Sequence, residues 1–92
     1  MSEYIEIETE LSDDPAVLRL VTNLPLTEGE PELYESSDQL DEGSPVAQAL
    51  APIEGIQTVH IQGSELTIMR DMDMPAHIIV AEVTAALKEF FL

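Results

Sequence analysis

Residues 44–70, SPVAQALAPIEGIQTVHIQGSELTIMR, carry the clearest structural signals in this 92-residue chain. Ser44-Pro45 is typical of a helix start, because Ser caps the helix and Pro fits a position where its missing N–H needs no partner. Apolar residues then recur at helical spacing. Pro52 cannot continue the helical hydrogen bonding, so the helix is predicted to end near Ala51.

The second half of the stretch predicts a β-hairpin. We expect Gly55 to supply a left-handed stop between the helix and the first strand. Apolar and polar residues then alternate on both sides of a loop at residues 62–64. The side chains predicted to face inward are Val59, Ile61, Leu66 and Ile68.

The N-terminal part predicts a second antiparallel strand pair. Residues 4–9 alternate with period two, which places Ile5 and Ile7 on one side. Residues 12–15 have turn composition. Residues 16–22 read as the next strand, with Leu18 and Leu20 inward and Arg19 outward.

The other segments complete the predicted fold. Residues 23–43 hold several Pro and Gly, and we expect a short edge strand over 32–35, one helical turn over 36–40, and the highest mobility of the chain. A final helix is predicted over 75–91, with an apolar stripe of Ile79, Val83, Ala86, Leu87 and Phe90. Ile78, Val80 and Phe91 widen this stripe, which indicates either deep burial or a patch offered to a partner. The order β-β-(β)-α-β-β-α predicts one domain, residues 1–92, of the two-layer α+β class: a mainly antiparallel sheet with two helices packed on one face.

The charge limits the partners. The net charge is −16, and residues 1–42 contribute −12 of it. Such a surface repels phosphate, so we expect no nucleic acid and no anionic membrane as partner. A basic protein or weakly bound cations fit better, although the charge can also serve solubility alone. The sequence shows no secretory signal, transit peptide or bilayer-length apolar run, so we expect a cytoplasmic protein.

The residues offer little catalytic chemistry. Cys is absent, and neither His60 nor His77 has a second ligand at metal spacing, so both are interpreted as surface or boundary residues. Asp71 and Asp73 lack the pattern of a calcium loop, whereas Glu28, Glu30 and Glu32 are either solvated charges or a weak cation site. We therefore predict no enzyme, no catalytic residue, no cofactor and no defined metal-ligand set. The cluster of Met69, Met72 and Met74 is either core filling or, together with His60, an apolar surface for a partner.

Two motifs of the opening stretch, SPVAQAL at 44–50 and IEGI at 53–56, are followed by Val59, Gly63 and LTI at 66–68. This series resembles the N-terminal domain of Nfu/NifU-type iron–sulfur cluster scaffold proteins, which typically carries S-P-L-A-x-x-L-x-x-I-E-G-V, a V-F-x-G-x-D-F hairpin and I-T-V-T-K. DPAVLRL at 14–20 is similar to a weakened T-P-N-P-N-x-L-K-F, with Leu20 where Phe is usual. Ala51 also replaces a usual Phe. The residues that match the family motifs, and are expected to have structural roles, are Pro15, Arg19, Ser44, Pro45, Leu50, Ile53, Glu54, Gly55 and Gly63.

The resemblance implies the family fold and a link to iron–sulfur cluster assembly. The family holds its cluster through a C-x-x-C in a second domain, which we expect to be absent here. The chain is then expected to be a stand-alone module with a protein-interaction or accessory role, and its partners to be assembly or client proteins. The alternatives are a weak binder of iron or another hard cation through surface carboxylates, or a small acidic protein unrelated to cluster assembly.

Overall fold

Five strands and three helices make up the part of the chain that the computed structural model describes, residues 6–11, 13–27 and 30–91. In chain order they are β1 (Ile7–Leu11), β2 (Val17–Thr22), β3 (Glu32–Tyr34), α1 (Ser37–Asp41), α2 (Pro45–Leu50), β4 (Ile56–Gln62), β5 (Glu65–Arg70) and α3 (Ala76–Phe90). The predicted α+β class is confirmed.

All five strands form one antiparallel sheet in the order β1-β2-β5-β4-β3. The β4–β5 hairpin lies at its centre, because β5 pairs with β2 and β4 pairs with β3. The register places Val59 opposite Ile68 and Ile61 opposite Leu66, and all four side chains are buried. The alternation read from the sequence is therefore confirmed, and β1 and β3 are left as the two edges.

The hairpin loop also fixes the chain that follows β2. Gly63 has φ +59°, a conformation that glycine adopts at little cost. Its carbonyl oxygen accepts a hydrogen bond from Leu26 N at 2.7 Å, and the Ser64 carbonyl accepts one from Thr22 N at 2.9 Å. These backbone hydrogen bonds hold residues 22–26 against the end of the sheet. No local sequence pattern predicts them.

Helix α2 begins and ends as its sequence predicts. Ser44 is the N-cap, its Oγ accepts from Ala47 N at 3.4 Å, and Pro45 is the first helical residue. The helix ends at Leu50 with Ala51 as C-cap. Gly55 then has φ +93°, and its carbonyl accepts from Asp71 N at 2.7 Å, which ties the start of β4 to the end of β5.

One core lies between the sheet and the helices. It combines the inward residues of β2, β4 and β5 with residues of all three helices and one residue of the loop after β2. The buried apolar side chains are Leu18, Leu20, Leu26, Leu40, Val46, Ala47, Leu50, Val59, Ile61, Leu66, Ile68, Ile79, Val83 and Leu87.

Three sequence-based expectations need correction. The first strand covers Ile7–Leu11 rather than residues 4–9, and Ile5 lies outside the described residues. A third helix, α1, joins the two predicted helices in the described residues, and it lies where one helical turn was expected over 36–40; Ser36 Oγ accepts from Gln39 N at 3.3 Å and caps it. Its Leu40 is buried, as is Leu26, so residues 23–43 contribute more to the core than their composition indicates.

The third correction concerns the last helix. Ile79, Val83 and Leu87 of the predicted stripe are fully buried, but Phe90 is 40% exposed. The helix ends at Phe90, and the half-buried Phe91 packs against the core in its place. The two rings meet edge to face, with centroids 4.9 Å apart.

Candidate functional site

One face of the sheet carries no share of the core. Its side chains alternate with the buried ones along β2, β4 and β5, and Leu33 of the edge strand β3 lies opposite His60. We call this surface the open sheet face. It consists of Glu8, Glu10, Val17, Arg19, Val21, Leu33, Thr58, His60, Gln62, Glu65, Thr67 and Met69.

A polar row crosses the middle of the open sheet face. The register aligns Glu10 with Arg19, Arg19 with Thr67, and Thr67 with His60. Arg19 lies 3.9 Å from a carboxylate oxygen of Glu10 and 3.3 Å from one of Glu65. All three side chains are about half exposed, so each pair contributes no more than about 1 kcal/mol to folding. The row orders this surface more than it stabilises the domain.

The three methionines do not form one cluster. Met69 is 42% exposed on the open sheet face, and Met72 is 58% exposed in the connector before α3. Met74 is half-buried and packs against the core. The interpretation as a partner surface therefore keeps His60, Met69 and Met72, whereas Met74 fills space beside Gly55.

Arg70 connects the two loops that contain Pro15 and Met74. Its Nε donates to the Pro15 carbonyl at 2.8 Å, and its Nη1 donates to the Met74 carbonyl at 2.9 Å. One guanidinium thus joins the β1–β2 turn to the β5–α3 connector. Pro15, one of the family-motif residues, thus provides one of the two carbonyl acceptors of Arg70.

The other family-motif residues divide between packing and turns. Leu50 is fully buried, Ile53 packs against the core, and Glu54 is exposed. A Cβ on Gly55 would lie 2.8 Å from Met74 Cγ and 3.0 Å from Ile79 Cδ1, whereas a Cβ on Gly63 would meet nothing within 4 Å. Gly55 is therefore required by both conformation and space, and Gly63 by conformation alone.

The carboxylates and histidines do not converge. No group of three or more His, Asp or Glu in the described part of the chain could hold a metal ion. Asp71 Oδ1 accepts from Asp73 N at 2.9 Å and serves a turn. Glu30 is exposed, Glu32 accepts a hydrogen bond from the Tyr34 hydroxyl, and Glu28 lies outside the described residues. His77 is exposed in the first turn of α3.

A cleft of about 460 Å³ lies where the loop after β2, the start of α2 and the end of α3 meet. We call it the Phe90 cleft. The polar residues that line it are Thr27, Glu32 and Ser44, and the apolar ones are Pro25, Leu26, Pro45, Val46, Phe90 and Phe91. The sequence analysis missed this site, because its walls come from three segments that are distant in sequence. The one available signal was the apolar pair at 90–91, which continues the helix stripe past the helix end.

Among the described residues, no helix is both long and apolar enough to cross a membrane. The described residues form a small two-layer α+β domain that presents the open sheet face and the Phe90 cleft. The chain is also similar to solved structures with this fold. A NifU-like protein from Saccharomyces cerevisiae, solved by solution NMR, matches with a TM-score of 0.74 and 21% identity over 94% of this chain and 77% of that one. The crystal structure of protein SAV1430 from Staphylococcus aureus matches with a TM-score of 0.71 and 10% identity, over 86% and 93% of the two chains.

No protein of curated function matches the chain significantly. The family model described as scaffold protein Nfu/NifU N terminal matches residues 7–92. The chain therefore belongs to the Nfu/NifU N-terminal family, which is linked to iron–sulfur cluster scaffold proteins.

Proposed function

We propose that this chain is a protein-interaction module of iron–sulfur cluster assembly that contacts assembly or client proteins without holding the cluster itself. The observation that carries the proposal is the family match over residues 7–92 in a chain without Cys. Thiolates are the usual ligands of iron–sulfur clusters, and the described residues offer no cluster of other metal ligands. We also propose a non-catalytic role in the cytoplasm, and the strong negative charge supports a protein partner rather than a nucleic acid.

The open sheet face is the surface that supports this role. It presents apolar Met69 and Leu33 beside the ordered polar row of Arg19, Thr67 and His60. Interfaces commonly combine exposed apolar contacts with such positioned polar groups. Met side chains also adapt to differently shaped partners, which suits a module that meets more than one client.

The test is affinity capture with matched variants. The tagged chain is expected to retain iron–sulfur assembly proteins or their clients from the lysate of its host, identified by mass spectrometry. The double variant His60→Glu with Met69→Glu should lose them. Ile78→Glu is the control, because Ile78 is 39% exposed, close to the 42% of Met69, but lies on α3 in the helix layer. Capture unaffected by the double variant would contradict the role of this face, and absence of any assembly or client protein would contradict the function.

A second measurement addresses the cluster directly. Anaerobic reconstitution with iron and sulfide should leave no visible absorbance bound to the protein after desalting. A stable chromophore at one cluster per chain or per dimer would refute the proposal that this chain does not hold the cluster itself.

A further inference from the structure

The Phe90 cleft has an apolar surface that the fold leaves uncovered. Phe90 is 40% exposed at its edge, while its neighbours Leu26 and Val46 are buried. Aromatic rings gain more than most side chains from being covered, and a cleft of about 460 Å³ has the volume of a binding site. The cleft can therefore receive one or two apolar side chains.

One residue that lines the cleft has a hydroxyl without a partner among the described residues. Thr27 is 8% exposed, and its Oγ1 makes no hydrogen bond with the described part of the protein. Buried hydroxyls are normally paired, because an unpaired one has lost its water without compensation. The nearby Thr22 shows the usual situation, since its hydroxyl donates to the Leu24 carbonyl at 2.6 Å. The Thr27 Oγ1 is buried in this conformation, and a rotation of the Thr27 side chain towards the cleft would let a backbone amide or carbonyl of a ligand supply the missing partner.

The charge of the cleft is negative. Glu32 is the one charged residue among the described residues that line it. The Glu32 carboxylate accepts a hydrogen bond from the Tyr34 hydroxyl. The Tyr34 hydroxyl oxygen in turn accepts one from Ser44 N at 3.2 Å, so the start of α2 positions the Glu32 carboxylate. The cations are elsewhere: Arg19 pairs with Glu10 and Glu65, Arg70 bonds to backbone carbonyls, and Lys88 does not line the cleft.

The cleft also adjoins a strand edge. Glu32 belongs to β3, the last strand of the sheet, and β3 pairs only with β4 within the described residues. The unpaired side of an edge strand can accept an extended chain as one more strand. A peptide fits all of these features, because it brings backbone donors and acceptors together with side chains.

We propose that the Phe90 cleft binds an extended peptide segment of a partner protein, in which an apolar side chain fills the cleft and an adjacent Lys or Arg pairs with Glu32. This inference rests on the proposed function for the partner, but it assigns the contact to a surface away from the open sheet face. The apolar side chain of the peptide contacts Phe90 and Val46. The peptide backbone forms hydrogen bonds with β3 and Thr27, and the peptide cation pairs with the Glu32 carboxylate.

The test uses a defined probe, the acetylated and amidated peptide Gly-Ser-Leu-Lys-Phe-Ser-Gly, followed by NMR shift mapping on the ¹⁵N-labelled chain at 0.1 M salt. Saturable shifts are expected at residues 25–27, 32–34 and 90–91. The same peptide with Glu in place of Lys, and the same peptide with Ser in place of Leu and Phe, should both bind much more weakly. Equal binding of either control peptide would overturn the proposal, as would equal binding of phenethylamine, which has the ring and the cation but no backbone.

Matched variants separate a site from diffuse attraction. Glu32→Gln should weaken the peptide about three- to fivefold, whereas Glu30→Gln, the same charge change two residues away, should change the dissociation constant by less than about twofold. Phe90→Ser should abolish saturable binding, and Ile78→Ser is its control. Should Phe90→Ser prove unfolded by circular dichroism, Thr27→Val takes its place and should also weaken the peptide.

Equal effects of Glu32→Gln and Glu30→Gln on peptide affinity would overturn the proposal that the peptide binds in the Phe90 cleft. NMR shifts centred on His60 and Met69 would overturn it as well. Either result leaves the proposed function intact, because lysate capture tests that separately. Conversely, peptide binding in the cleft together with failed capture of assembly or client proteins would contradict the proposed function and keep the cleft.

Discussion

Replacing Gly55 by Ala should destabilise the domain by about 3 kcal/mol. Part of the loss comes from φ +93°, which costs an L-residue about 1–2 kcal/mol. The rest comes from crowding, because the new Cβ would lie 2.8 Å from Met74 Cγ and 3.0 Å from Ile79 Cδ1, and overpacking a core typically costs about 1–3 kcal/mol. The smaller backbone entropy of unfolded Ala offsets about 0.4–1 kcal/mol.

Gly63→Ala is the matched control for this prediction. Its φ of +59° lies within the left-handed region that L-residues tolerate best, its entropic offset is the same, and its Cβ would meet nothing within 4 Å. The control should therefore lose about 1 kcal/mol or less, and crowding should account for most of the difference of about 2 kcal/mol.

The assay is urea denaturation followed by circular dichroism. With an m-value of about 2 kcal/mol/M, Gly55→Ala should lower the midpoint by about 1 M more than Gly63→Ala does. Adding Met74→Ala to Gly55→Ala should recover part of the loss, which a double-mutant cycle measures as coupling. Identical midpoints for the two glycine variants would refute the contact between residue 55 and the core.

Three further predictions concern stability. Ser44→Ala should lower the free energy of unfolding by about 1 kcal/mol, because the cap on Ala47 N is lost; an unchanged urea midpoint would show that this cap contributes nothing. Thr27→Val should raise the free energy of unfolding of the unliganded protein by about 1 kcal/mol, because it removes a buried hydroxyl without a partner in the described structure; a lower midpoint would indicate that the hydroxyl is paired. The melting temperature should rise between low salt and about 0.5 M sodium chloride at pH 7, because salt screens repulsion in a chain of net charge −16; a flat or falling series would indicate separated charges or a bound cation, which chelator would reveal.

The parts of the fold that the sequence predicts are those with local causes. The cap at Ser44, the proline at 45 and the glycine at 63 each act on their own neighbours, so helix α2 and the β4–β5 hairpin appear where expected. The alternation of Val59 and Ile61 identifies the buried face in the same way. The motifs that carry the family resemblance lie in these segments.

The missed parts depend on contacts between distant residues. Leu26 is fixed by the carbonyl of Gly63, and the short helix α1 buries Leu40 against a core that its own sequence does not define. Phe90 continues the stripe of α3 in sequence, but the helix ends at this residue and its side chain stays 40% exposed. The Phe90 cleft depends on these contacts between distant segments. The separation of Met74 from Met69 across the sheet also depends on tertiary packing.

Among the described residues, β1 and β3 form the two edges of the sheet, and the charge on these edges can distinguish copies of this domain from other chains. Edge strand β1 carries Glu8 and Glu10, and edge strand β3 carries Glu32. Two identical molecules that approached edge to edge would bring carboxylates together, which opposes the strand pairing that open edges otherwise invite. A segment rich in Lys or Arg meets no such opposition at either edge. We therefore expect the acidic charge to oppose self-association through the edges while it leaves them accessible to a basic chain, and this selectivity should fade as the pH approaches the isoelectric point of about 4.1.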